Sequence, residues 1–174
     1  MTTPLQPHIA PLLDRLARSF YEVVPHEYKT YCSLTARIAQ RVLQRFGIAC
    51  ECVPCQVWYS QPHHHYVIGF LGPQNPNHNP GKWDGHVVCC TDRWLLDTAT
   101  HHFQREFGLT APDVVLTPLF AIPSTALAYL QLQDSNALWW HTPPMQADTQ
   151  APEEPPALVE RYAQALIERL EAAA

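Results

Sequence analysis

Nowhere in the 174 residues is there a run of lysines or arginines, and the net charge is −5 with histidine neutral. Nucleic acids and anionic membrane surfaces are held by clustered basic side chains. Neither is therefore an expected partner. Long apolar runs are missing too: the uninterrupted ones are far shorter than the ~20 residues of a bilayer-spanning helix. The opening MTTPLQPHIAPLLDRLARSF lacks a basic flank followed by an apolar core and a small-residue cleavage site. The expectation is a cytoplasmic chain whose six cysteines (32, 50, 52, 55, 89 and 90) stay reduced rather than forming a disulfide scaffold. No internal repeat is present.

Apolar residues make up 47% of the chain, enough for a packed core over most of its length. The size is that of one domain, expected to span residues 1–174. Between about Pro7 and Val24, Ile9, Leu12, Leu13, Leu16 and Phe20 recur at helical steps, and Pro25 stops the helix. A second helix carries Leu34, Ile38, Val42 and Phe46 as one stripe with Leu43 beside it. Gly47 ends it, and Thr30 or Ser33 is the expected cap.

Beyond Gly47 the period changes. IACECVPCQVWYS reads as a strand interrupted at Pro54, and HYVIGFLG (65–72) as a second strand. The Pro- and Asn-rich stretch 73–84 is a loop. GHVVCCT and RWLLDTA flank a turn at Thr91–Asp92–Arg93 and form an antiparallel hairpin. ALAYLQLQ, DSNA and LWWHTP read as another hairpin, with a helix as the alternative for the first half. The polar, Pro-rich 142–156 is a linker or surface loop. An amphipathic helix over 157–172, with Leu158, Tyr162, Leu166 and Leu170 on its apolar face, is expected to pack on the domain's own core, with a partner-binding helix as the alternative.

Three residues on these elements suit one chemistry. Cys32 heads the second helix, where unpaired N–H groups favour a thiolate. His86 opens one hairpin strand and Asp97 closes the other, so cross-strand contact brings an imidazole against a carboxylate. Such a histidine can take and return the thiol's proton, and the carboxylate fixes its tautomer. Trp83, just before His86, is expected to line a cleft, whereas Trp58, Trp94, Trp139 and Trp140 read as core and rim.

Cysteine at a helix head, the helix ending in RFGIACECV, and GHVVCCTDRWLLDTA together resemble the transglutaminase-like superfamily of papain-like folds. The likeness covers roughly Tyr28 to Thr100. It implies an α+β fold with helices packed on a small antiparallel sheet. It also implies a nucleophile at Cys32, a base at His86 and an orienting acid at Asp97. The expected activity is acyl transfer through a thioester, on a peptide or protein amide substrate and without a cofactor. Enzymes of this group also need a donor for the oxyanion, for which Tyr28 and the backbone N–H of Cys32 are the candidates. Some relatives are inactive binding modules, which is the alternative reading.

Structural zinc is not expected. Cys52–Val53–Pro54–Cys55 has knuckle spacing, but no second, separate knuckle accompanies it, although His63–His65 and His101–His102 supply further ligand types.

Overall fold

The computed structural model describes residues 9–74, 76, 80–122 and 124–173. Pro7 and His8, where the first helix was expected to open, lie outside these residues, as do 75 and 77–79 of the 73–84 loop. The order of elements is α1 (Ile9–Val23), a 3-10 turn (His26–Tyr28), α2 (Cys32–Arg45), β1 (Glu51–Gln61), β2 (His64–Ile68), β3 (His86–Cys90) and β4 (Trp94–Asp97). Then come α3 (His102–Phe107), β5 (Val115–Pro118), β6 (Ala126–Gln131), β7 (Ala137–His141) and α4 (Pro156–Ala172).

The fold is α+β, and every strand pair is antiparallel. The sheet has seven strands in the order β5-β4-β3-β1-β7-β6, with β2 also on β1. A bridge between Leu119 and Ala128, and a hydrogen bond from Thr117 Oγ1 to the Tyr129 carbonyl, draw β5 toward β6 and nearly close the sheet. Two apolar clusters follow from this curvature. One lies between the outer face, through Cys89 and Leu96, and helices α1, α2 and α4. The other fills the interior with Cys55, Val57, Val88, Leu95, Phe103, Leu138 and Trp140. The alternation of Val88 and Cys90 inward with Cys89 outward is the period-2 rule of a strand covered on both faces.

Local chemistry explains most element ends. Gly47 sits at φ +73°, and its N–H and that of Ile48 return to the carbonyls of Gln44 and Leu43, closing α2. Pro156 opens α4, where a missing N–H removes nothing. The expected cap of α2 is corrected: no side chain caps it. Tyr31 holds the cap position, Thr30 Oγ1 accepts from Arg105, and Ser33 Oγ donates to Pro152.

The expected break at Pro54 is also corrected, since β1 runs through it. β7 pairs only Gln56–Ser60, so on that side Pro54 faces no strand that would need its N–H. ALAYLQLQ forms a strand, not a helix, with the hairpin turned by Asp134 and Ser135 at positive φ. The short α3, the 3-10 turn and β5 had no counterpart in the sequence reading.

The feature that builds the site is an insertion. β2 and β3 lie along the same edge of β1, pairing Val57 with Ile68 and then Cys55 with His86. The chain leaves this line at Gly69 and rejoins it after Gly85. A Cβ on Gly69 would stand 2.9 Å from His86 Cβ and 3.1 Å from the Cys55 carbonyl oxygen. Only glycine lets the two ends of the excursion close beside His86 at φ +83°. Phe70 N–H donates to the Asp84 carbonyl at 2.9 Å, and Gly72 N–H to Asp84 Oδ2 at 2.8 Å, which tie the neck.

Candidate active site

Cys32 is the first residue of α2, at the end of that helix which meets Gly85 and His86. Its sulfur lies 3.8 Å from the Gly85 carbonyl oxygen. His86 and Asp97 come from neighbouring strands, as the hairpin implied. Cys89 pairs with Leu96 and Cys90 with Leu95, so His86 and Asp97 are diagonal neighbours on the interior face rather than directly opposed. The diagonal is short enough: His86 Nε2 stands 2.8 Å from Asp97 Oδ2, with the two side chains 1% and 0% exposed.

Asp97 is held from three directions. Its Oδ2 also accepts the Trp140 indole N–H at 2.8 Å, and its Oδ1 accepts the Ala99 backbone N–H at 2.9 Å. Trp140 belongs to β7, which is not a sheet neighbour of β4, so this bond crosses the interior. A buried carboxylate with three donors is a satisfied one. Burial alone would raise its pKa, but the His86 charge and these hydrogen bonds outweigh burial and hold it below the usual range.

For His86 the balance also goes to the ionic partner. Burial opposes the imidazolium, yet the Asp97 charge, the bond to Asp97 and the contact with Cys32 lift it to about 10. With Nε2 committed to Asp97, Nδ1 is the nitrogen left for the thiol. Cys32 Sγ, a His86 ring nitrogen and a His102 ring nitrogen lie within 4.8 Å of one another. The structure therefore brings together all three expected catalytic residues, Cys32, His86 and Asp97.

Two further residues, His102 and Trp140, carry no local signal of their role. His102 opens the six-residue α3, its ring centroid 6.0 Å from that of His86. Burial, then the charges of His86 and Arg105, push its pKa down to about 3, so it is neutral. Its place in a His-His dipeptide is the one trace visible in the sequence.

The two expected binding residues go to different places. Trp83 lies beside Cys32's neighbour Gly85: its ring covers Gly85, crosses Phe70 edge-on at 5.6 Å, and its Nε1–H donates to the Asp148 carbonyl at 2.8 Å. Tyr28 packs against Tyr31 and Tyr162, toward the α4 side of the outer core. The first turn of α2 is uncapped by any side chain, which leaves the Cys32 N–H without a side-chain acceptor.

Residues 142–155 have no helix or strand and run over this end of α2 as a strap. Trp83 holds the strap at Asp148, and Ser33 Oγ holds it at the Pro152 carbonyl, 3.2 Å away. Cys32 is 7% exposed. Trp83→Phe keeps the ring on Gly85 and deletes the N–H. It should cost about 1 kcal/mol and speed amide exchange in the strap, read by hydrogen-exchange mass spectrometry. Unchanged exchange there would mean that Trp83 does not hold the strap.

No helix among the described residues is long and apolar enough to cross a membrane. Comparison with family models, curated proteins and solved structures gives no match to this chain.

Proposed function

We propose that the chain is a cysteine-dependent acyl-transfer enzyme of transglutaminase-like, papain-like type. In this reading Cys32 is the nucleophile, His86 the base and acid, and Asp97 the orienting residue. The observation that carries it is the Nε2–Oδ2 bond of His86 and Asp97, which turns the free nitrogen of the imidazole toward a thiol at a helix start. A buried carboxylate bound to one ring nitrogen leaves the other to exchange a proton with the nucleophile.

The steps follow from these positions. The Cys32 sulfur attacks the carbonyl carbon of an amide as a thiolate, paired with a His86 imidazolium that already holds the proton on Nδ1. The carbonyl electron pair moves to oxygen, where the Cys32 N–H receives it. When the C–N bond breaks, His86 returns the proton to the leaving amine and a thioester remains. Water gives hydrolysis and a second amine gives transfer, and each frees the thiol. The substrate class is a peptide or protein amide. A compartment that keeps the thiol reduced, such as the cytoplasm, suits the six free cysteines.

One observation favours a second reading, a non-catalytic relative that binds a peptide or protein: Cys32 is nearly covered in the presence of the strap. Alkylation separates the two. With limiting iodoacetamide and peptide mapping, the enzyme reading expects Cys32 to react before the other five cysteines. Its main competitor is Cys50, which is partly exposed and has its pKa lowered by the hydrogen bond with Cys89. Reaction at Cys50 with Cys32 untouched would favour the binding module.

A further inference from the structure

The nucleophile has two histidines beside it, and the proposed chemistry uses only one. We propose that Cys32, His86 and His102 form a zinc site whose occupancy switches the enzyme off. The inference rests on the catalytic reading for its consequence, though not for its geometry.

Their ligand atoms lie within 4.8 Å of one another, and among the described residues no other set of three Cys, His, Asp or Glu residues does this. A thiolate with two imidazoles is a soft, nitrogen-rich set that suits Zn2+ better than Mg2+ or Ca2+. Three protein ligands with a fourth position for water is an ordinary zinc arrangement. With Zn–S near 2.3 Å and Zn–N near 2.05 Å, tetrahedral ligands stand about 3.5 Å apart. The trio must therefore close by up to about 1.3 Å, from the limits just given. His102, half-buried on a short helix while Cys32 and His86 are buried, is the member free to supply that movement.

The support behind the ligands is the second observation. A metal-bound histidine donates its other N–H to a carboxylate or backbone carbonyl, which fixes its orientation. His86 has Asp97 for this, itself fixed by Trp140 and Ala99. The His102 ring meets the Arg105 guanidinium, with Nδ1 3.4 Å from Nη2, so the support behind the ligands rests on His86. The same support that readies His86 for the thiol readies it for a metal. Binding replaces the proton shared by Cys32 and His86 with Zn2+ and releases that proton; no electron is transferred. With the sulfur lone pair and the His86 nitrogen both on the metal, neither nucleophile nor base remains.

The test uses untagged, full-length protein stripped with chelator and kept reduced. Titrated Co2+ should give one equivalent of a thiolate-to-metal charge-transfer band, which Zn2+ then abolishes by displacement. In the same samples Zn2+ should protect Cys32 from alkylation. Cys32→Ser should lose the band. His102→Ala should weaken binding by on the order of 10–100-fold, the loss seen when even outer partners are removed. Circular dichroism confirms that each variant is folded.

The proposal is overturned by the absence of the band, by a band indifferent to His102→Ala, or by one that disappears instead with Cys50→Ser. These outcomes stand apart from failure of the catalytic reading, which appears in the metal-free protein as a Cys32 that does not react first.

Discussion

Asp97→Ala is expected to destabilise the chain by about 3–5 kcal/mol, the cost of breaking a buried ion pair by removing one partner. For a chain of this length that corresponds to a fall of roughly 6–20 °C in Tm. The magnitude follows from the accounting of donors. His86, Trp140 and Ala99 all give hydrogen bonds to this carboxylate in a region closed to water. Alanine leaves the three donors without an acceptor. Asp97→Asn separates charge from shape. Its one carbonyl oxygen can serve the His86 and Trp140 side, but its NH2 then faces the Ala99 N–H, donor against donor. The expected loss is about 1–3 kcal/mol, that of one unsatisfied buried group. Thermal or urea unfolding reads both. An alanine variant as stable as the parent would mean that the three bonds do not hold this corner of the interior.

His86→Ala should reduce the rate of Cys32 acylation by an activated ester by about 10²–10⁴-fold, the usual contribution of a positioned acid–base group. Its effect must appear in the chemical step and not merely in folding. His86 is buried and pairs with Cys55 across β1, so the substitution also leaves a cavity. Measuring the rate well below the variant's own Tm, with circular dichroism alongside, separates the two effects. Asp97→Asn should lie between the parent and His86→Ala, because the imidazole remains but is no longer held by a charge. Equal rates in the parent and His86→Ala would remove the imidazole from the mechanism.

Parts of this site were legible in the residues because they depend on local rules. The α2 stripe of Leu34, Ile38 and Val42 and the stop at Gly47 are helix periodicity and a left-handed cap. They put Cys32 at a helix start. The His86–Asp97 contact follows from one short turn that sets their two strands side by side. What was not legible depends on distance in the chain. Trp140 reaches Asp97 only because the sheet curls until β7 faces β4 across the interior, and nothing near residue 140 records that curvature.

His102 sits on a helix too short to show a period. The continuity of β2 into β3 was hidden by the excursion from Gly69 to Gly85 and is visible only in the pairing with β1. Pro54 misled because its cost depends on whether a strand lies on its N–H side, a tertiary fact. Tyr28 was chosen for closeness in sequence to Cys32, and the 3-10 turn instead rotates it onto Tyr162.

The most direct test of the central claim is where an acyl group settles. Metal-free protein is treated briefly with p-nitrophenyl acetate, quenched in acid, and analysed by intact mass and peptide mapping. The account expects a single acetyl group on Cys32, labile to hydroxylamine as a thioester is, and greatly reduced in His86→Ala. Acetyl groups spread over surface amines, or a thioester at Cys50 with Cys32 unmodified, would contradict it.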